Sequence, residues 1–447
     1  MFKPLAATLI ALTMANISVG QASYWSDSEK SQIQQWWTEP GRYLITPSDK
    51  YVVRLTTQGS KWLWDYNHSR GKGKTPPGQV PAPSNDEEAV WEKWINAKVA
   101  RDRYLAACAA ETLNAKNQHR EPKYPTEVID PKPLDVSFTT RFGAPPAFAS
   151  NVLPNKIVVK FDDISLNYSD NVDMRPRYAY YRFDNGVNSE GADIKSMPAS
   201  ELEGILHDAG YDESDSKVFK SVSILEGGFD AINTYDTGFI SVGFIQFASL
   251  KEGGGSLGQA MLQYKRENPQ DFDKDFHRYG IDVTPEEKIV ALDLETGDEK
   301  IGPDANTQVI KDKRLIAAFQ RAGKLRPFRL LQLKAAKVIY WPMNDKVTVN
   351  IGNQKITRPL SDFVKSEAGK AVFLDRKVNT GNIGSVSSAL QSIADAAKVS
   401  SCDDLAKYEA LLIKCMYYRF DPIKSTELGK PDTCDMIQSV LNKYGRG

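Results

Sequence analysis

Residues 214–247 constrain this chain more than any other stretch. Val218, Val222 and Leu225 fall on one stripe at helical spacing. Gly227-Gly228 then stops the helix, because glycine enters the left-handed conformation at little cost. The next residues, YDTGFISVGFIQF, carry a β-like pattern. Asp236-Thr237-Gly238 reads as a turn, and Gly243 leaves room for close backbone approach. Gln246 alternates with Phe244 and Phe247, which predicts a strand with the amide facing a cleft. A helix that hands over to a small hairpin within ten residues predicts an α+β fold.

The rest of the chain is mainly helical. DEEAVWEKWINAKVARDRYLAACAAETLNAK predicts one long amphipathic helix, and SEKSQIQQWWTE a shorter one with Ser28 as its N-cap. Both belong to a tryptophan-rich region, 23–135. Trp36, Trp37, Trp62, Trp64, Trp91 and Trp94 there pack helices together or form a sugar-stacking platform. Residues 136–195 change to a β-like pattern in VSFTTRF, KIVVKFDDISLNY and RYAYYRFDN. From 196 to 398 helices return, in PASELEGILHDAGY, GSLGQAMLQYKRE, KRLIAAFQRAG, RPFRLLQLKAAKVIYW, RPLSDFVKSEAGKAVFLDRKV and IGSVSSALQSIADAAK. VTPEEKIVALDLETGDEKIG reads as strands and turns set between them, and 399–447 as a C-terminal helical hairpin.

Lys3 precedes an apolar run that ends in small residues at Gly20 and Ala22, which predicts a secretory leader over 1–22 and a periplasmic or secreted protein. No later stretch has the ~18 apolar residues of a membrane span. With 57 basic and 57 acidic side chains, no global charge points to nucleic acid. HExxH, CxxC and Cys/His clusters at zinc spacing are absent from the sequence, so neither metal nor cofactor is expected.

Four cysteines in an exported chain predict two disulfides. A continuous helix over DDLAKYEALLIK would hold Cys402 and Cys415 ~20 Å apart, beyond the ~7 Å reach of a bridge. Cys434 opens the returning helix, so the expected pairs are Cys415–Cys434 and Cys108–Cys402.

Glu226 is the last residue of helix 214–226, next to Ile224, Leu225 and Phe229. The negative end of the helix dipole and apolar surroundings both disfavour the carboxylate there. A glutamic acid held protonated in this way can donate its proton to a glycosidic oxygen.

The pattern Glu226, Asp236-x-Gly238, Ser241-x-Gly243-x-x-Gln246 resembles the active-site region of the lysozyme-like superfamily, nearest to goose-type lysozymes and lytic transglycosylases. FLDRKVNTGNIGSVSSAL is similar to the stretch that completes the cleft in lytic transglycosylases. Asn379 and Gly381 match it, and Val378 stands where the family usually has tyrosine. The resemblance implies a lysozyme-like catalytic domain acting on peptidoglycan or a related aminosugar polymer such as chitin or chitosan. It implies Glu226 as proton donor and Asp236, or Asp230, as base or electrostatic partner. Tyr235, Ser241, Gln246 and Asn379 would bind sugar or position water. A cell-wall-binding protein that keeps the shape without turnover is the alternative.

Overall fold

The computed structural model describes residues 23–73, 75, 80–161, 164–169, 183–192, 194–223, 227–417 and 422–445. The expected leader lies outside them.

The N-terminal part contributes to two cores. Helix α1 (Asp27–Thr38) is capped by Ser26, whose hydroxyl accepts from Glu29 N while the Glu29 carboxylate accepts from Ser26 N. The cap is two residues earlier than the sequence pattern placed it, because only Ser26 has an acid three residues on. Trp25 and Trp37 are buried, and their indole N–H groups donate to His277 O and Tyr279 O at 3.0 and 3.1 Å. Strands β1 (Tyr43–Pro47) and β2 (Tyr51–Arg54) follow, then α2 (Thr57–Ser69), α3 (Asp86–Asn117) and α4 (Val136–Phe142). Next come β3 (Asn151–Pro154), β4 (Ile157–Phe161) and β5 (Ile164–Tyr168). β2 pairs with β3, and β4 lies between β1 and β5. Sheet pairing therefore joins residues before and after position 135.

VSFTTRF is helical, not extended. Asp135 caps it through Ser137 N, and Phe138 and Phe142, one turn apart, both reach Trp91 and Tyr66. This aromatic burial outweighs the β preference of Val136, Thr139 and Thr140. Trp62 and Trp91 belong to this cluster, and Trp36 packs with Trp37 on the main core. These four indoles therefore pack the fold together.

The central body continues with β6 (Asn188–Ser189), α5 (Ala199–Asp208), α6 (Glu213–Ser223), β7 (Ile232–Asn233), β8 (Ser241–Val242) and β9 (Phe247–Ala248). Helices α7 (Gly255–Glu267) and α8 (Pro269–Asp275) lead to a meander of β10 (Ile281–Val283), β11 (Ile289–Leu292) and β12 (Glu299–Ile301). Helices α9 (Pro303–Lys311), α10 (Lys313–Lys324) and α11 (Arg326–Tyr340) close the body. Its core runs from Trp25 to Leu374, with Leu428 added from the C-terminal part, and includes Val218, Phe219, Val222, Phe244, Phe247, Phe276 and Phe319. β6 to β9 form one four-stranded sheet in chain order.

A second core begins at Met343. Hairpin β13 (Lys346–Ile351) and β14 (Gln354–Pro359) packs with α12 (Glu367–Thr380), α13 (Val386–Ala397), α14 (Glu409–Met416) and α15 (Gln438–Tyr444). The expected 196–398 unit thus spans two cores, which α12 joins through Leu374 on one side and Phe373 on the other. Among the described residues all the strand pairs are antiparallel, and helices outweigh strands, so the fold is mixed α+β. Among the described residues no helix is long and apolar enough to cross a membrane.

The structure holds Cys108, Cys402, Cys415 and Cys434 as free thiols, and neither expected bridge is formed. The expectation assumed one continuous helix, but Cys402–Tyr408 is a tighter 3-10 helix that precedes α14. Cys434 lies outside any helix and faces the backbone of Leu411 and Ala410, in the first turn of α14, whereas Cys415 is in its last turn. Cys108 sits on α3, away from the second core that holds Cys402. Burial pushes the Cys415 thiol up to about 11, which suppresses its thiolate.

Candidate functional site

The site region starts where α6 ends. Val218, Phe219 and Val222 bury one face of that helix. Gly227 N donates to Ser223 O at 3.1 Å, and Gly227 has φ +122°, a conformation that glycine adopts at little cost. Gly228 has a different task. Its N–H donates to Glu190 O at 2.8 Å, and a Cβ there would lie 1.9 Å from Ala192 O. The second glycine lets the chain cross the end of β6. Glu226, with Ile224 and Leu225, lies outside the described residues.

Asp230 is buried. Its carboxylate accepts from Ala192 N at 2.8 Å and pairs with Lys324 Nζ at 2.8 Å. Asp236 is half-buried and holds the 236–239 turn. Its Oδ1 accepts from Gly238 N at 2.9 Å and its Oδ2 from Asn233 Nδ2 at 3.0 Å. Tyr235 precedes this turn and packs its ring on the aromatic cluster of α2 to α4. Its carbonyl accepts from Phe183 N at 2.9 Å.

Ser241 is buried in β8, between β7 and β9. A Cβ on Gly238 would lie 2.6 Å from its hydroxyl, so the serine sits beneath the turn and faces no open groove. Gln246 is not in a strand. It has φ +53°, and both its backbone N–H and its side-chain Nε2 donate to Gly243 O at 3.0 Å. Phe244, Ile245 and Phe247 around it are all buried. The apparent alternation belongs to a tight 243–246 loop rather than an extended strand.

One residue that organises the region left no mark in the sequence pattern. Gln332 on α11 is fully buried; its Nε2 donates to Phe229 O at 2.9 Å and its Oε1 accepts from Phe244 N at 3.2 Å. It ties the segment after Gly228 to the loop that ends at Gln246. Gly243 makes room for it, since a Cβ there would lie 2.0 Å from Gln332 Oε1. Gly323 on α10 does the same for Phe229, whose carbonyl would lie 2.3 Å from an added Cβ.

Asn379 is placed elsewhere. Lys217 reaches Glu367 at 3.8 Å, while Lys370 reaches Ser214 at 3.2 Å, so α6 and α12 run antiparallel. Asn379 is twelve residues past Glu367, and Ser223 six residues past Lys217 in the opposite direction. At ~1.5 Å per residue these offsets separate Asn379 from the end of α6 by roughly 25 Å. Its amide donates to Asp375 O at 2.7 Å and Asp375 Oδ1 at 3.1 Å, which caps the last turn of α12.

A depression of ≈ 680 Å³ on α7 and α11, with Gln259, Arg266 and Val338 in its wall, contains none of the expected site residues. A second cavity, ≈ 310 Å³, lies beside the Phe183–Val187 segment that supports the Asp236 turn. Among the described residues no group of three His, Cys, Asp or Glu side chains is arranged to hold a metal ion. Comparison with protein-family models, with curated proteins and with solved structures gives no match to this chain.

Proposed function

We propose that this chain is an exported enzyme of lysozyme-like type that cleaves the bond between N-acetylmuramic acid and N-acetylglucosamine in peptidoglycan, with Glu226 as the sole catalytic carboxylate. One observation carries the single-carboxylate form: Asp230 is buried with Lys324 and Ala192 N on its two oxygens, and both oxygens of the half-buried Asp236 hold its turn through Asn233 and Gly238 N. A hydrolysing pair needs a second carboxylate free to face the bond or a water, ~5–9.5 Å from the acid. Without it, Glu226 acts twice. As an acid it protonates the glycosidic oxygen as the C1–O bond breaks. As a carboxylate it then takes the proton of the muramic acid C6 hydroxyl, whose oxygen closes on C1. The product is an anhydro sugar and no water is consumed, which is lytic transglycosylase chemistry.

The handover from α6 through two glycines to the β7–β9 meander supports this reading, since a glycan groove needs such a wall beside its acid. A second reading, wall binding without turnover, is favoured by the internal use of Ser241, Gln246 and Asn379. The experiment incubates purified protein and Glu226→Gln with a peptidoglycan suspension and follows clearing. Clearing by the wild type alone supports the enzyme. Co-sedimentation without clearing by either protein refutes it and leaves the binding protein.

A further inference from the structure

The ≈ 310 Å³ cavity lies where the N-terminal sheets meet the central body. Its volume is in the range of small-molecule sites, and such sites favour junctions between units. Arg54, Asn151, Ser169, Phe183, Asp184 and Lys313 contribute to its wall. They come from β2, β3, the end of β5, the segment before β6 and the start of α10, so five separate parts of the chain converge on it.

Two of these side chains are cations, and their surroundings differ. Arg54 is buried and has partners of its own. Lys313 is half-buried, and burial lowers its proton affinity. Its neighbour Asp312 is taken up by Arg314, which reaches the two carboxylate oxygens at 2.9 and 2.8 Å. Asp184, across the cavity, accepts from the Thr57 hydroxyl. Among the described residues Lys313 Nζ has no hydrogen bond and no ion pair. An ammonium that is partly removed from water, and whose neighbouring acid Asp312 offsets the lowering effect of burial only in part, is further stabilised by an incoming anion. Asn151 and Ser169 add neutral hydrogen-bonding groups, and Phe183 an aromatic face. Phe183 also connects the cavity to the proposed glycan site, through its N–H to Tyr235 O at 2.9 Å, next to the Asp236 turn.

We propose that this cavity binds the carboxylate-bearing arm of a muramic acid residue, its lactyl-peptide stem, with Lys313 as the counter-cation. The identity of the ligand rests on the peptidoglycan reading above; the anion site itself rests on the cavity and Lys313. An enzyme with this site would prefer glycan that still carries stem peptides over stripped or neutral glycan.

The test is calorimetry on the full chain with N-acetylmuramyl-L-alanyl-D-glutamate as the acidic probe and tri-N-acetylchitotriose as the neutral one. Lys313→Met should weaken the acidic probe at least about tenfold, as expected for loss of one charge-assisted contact, and Lys313→Arg should stay within about threefold. The neutral probe should bind all three proteins alike. Equal affinity of Lys313→Met and wild type for the acidic probe would overturn the proposal, as would displacement of that probe by the neutral sugar at equal concentration. Lys313-dependent binding by a protein that never cleaves peptidoglycan would keep the anion site and remove the catalytic reading. Unchanged KM of Lys313→Met on intact peptidoglycan, with activity retained, would remove the anion site alone.

Discussion

Lys324 Nζ lies 2.8 Å from Asp230 Oδ2, on a carboxylate whose other oxygen accepts from Ala192 N. This pair anchors the segment after Gly228 to α10 and keeps Asp230 buried with both oxygens engaged, a poor position from which to activate water. Asp230→Asn removes the charge opposite Lys324 and should cost about 1–3 kcal/mol of stability, because a buried pair is broken from one side. Urea unfolding measures the loss. Activity per folded molecule should stay within a few-fold, and a collapse of turnover in a fully folded variant would return Asp230 to the chemistry.

Asp236→Asn tests the second carboxylate. The turn loses an acceptor for Gly238 N or Asn233 Nδ2, which is worth about 0.5–1.5 kcal/mol. Turnover should be nearly preserved. A drop of about 10²–10⁴-fold is what removal of a general base gives, and would restore a hydrolysing pair.

Gly243 and Gln332 should behave as a coupled pair. Gly243→Ala puts a methyl group against Gln332 Oε1 at a backbone φ of +84°, and Gln332→Ala leaves Phe229 O and Phe244 N without their partner. Each single change should cost about 2–3 kcal/mol. In the double variant the clash is gone, so the combined loss should fall short of the sum by about 1 kcal/mol or more. Strict additivity in a double-mutant cycle would contradict the packing described for this loop.

These relationships also mark what was legible in the sequence. α3 and α7 were readable within a residue or two, since helical periodicity and acid-rich or glycine starts are local signals. VTPEEKIVALDLETGDEKIG was readable as strands and turns because apolar runs there are separated by Pro, Asp and Gly, although β10 begins before it. VSFTTRF was not, because its conformation is decided by aromatic partners on other helices. Gln246 was misplaced because Phe-Ile-Gln-Phe suits a strand and a buried loop equally well. Gln332 selects the loop from 88 and 103 residues away in the chain, through backbone atoms that leave no residue pattern. The cysteine pairing failed because Cys434 lies outside any helix and meets the first turn of α14 rather than the last, where Cys415 sits, and because Cys108 lies on α3, outside the core that holds Cys402.

Stability should depend on pH through Asp275. Burial pushes its carboxyl up to about 6, against the lowering effect of the Tyr264 hydroxyl at 2.7 Å and Arg321 at 3.5 Å. An unfolded aspartate titrates near 3.9. Below that value both states are protonated and the contribution is complete; it is lost as pH rises through the folded value. Wild type should therefore lose up to about 3 kcal/mol relative to Asp275→Asn between pH 4 and 6.5. Denaturant unfolding across this range measures the difference, and parallel curves for the two proteins would contradict the raised value.

The central claim is that Glu226 alone cleaves the glycan strand. Mass analysis of soluble products from purified peptidoglycan tests it most directly. The account predicts muropeptides one water lighter than their reducing-end counterparts, released by the wild type and absent with folded Glu226→Gln. Reducing-end products, or an unchanged product profile from Glu226→Gln, would contradict it.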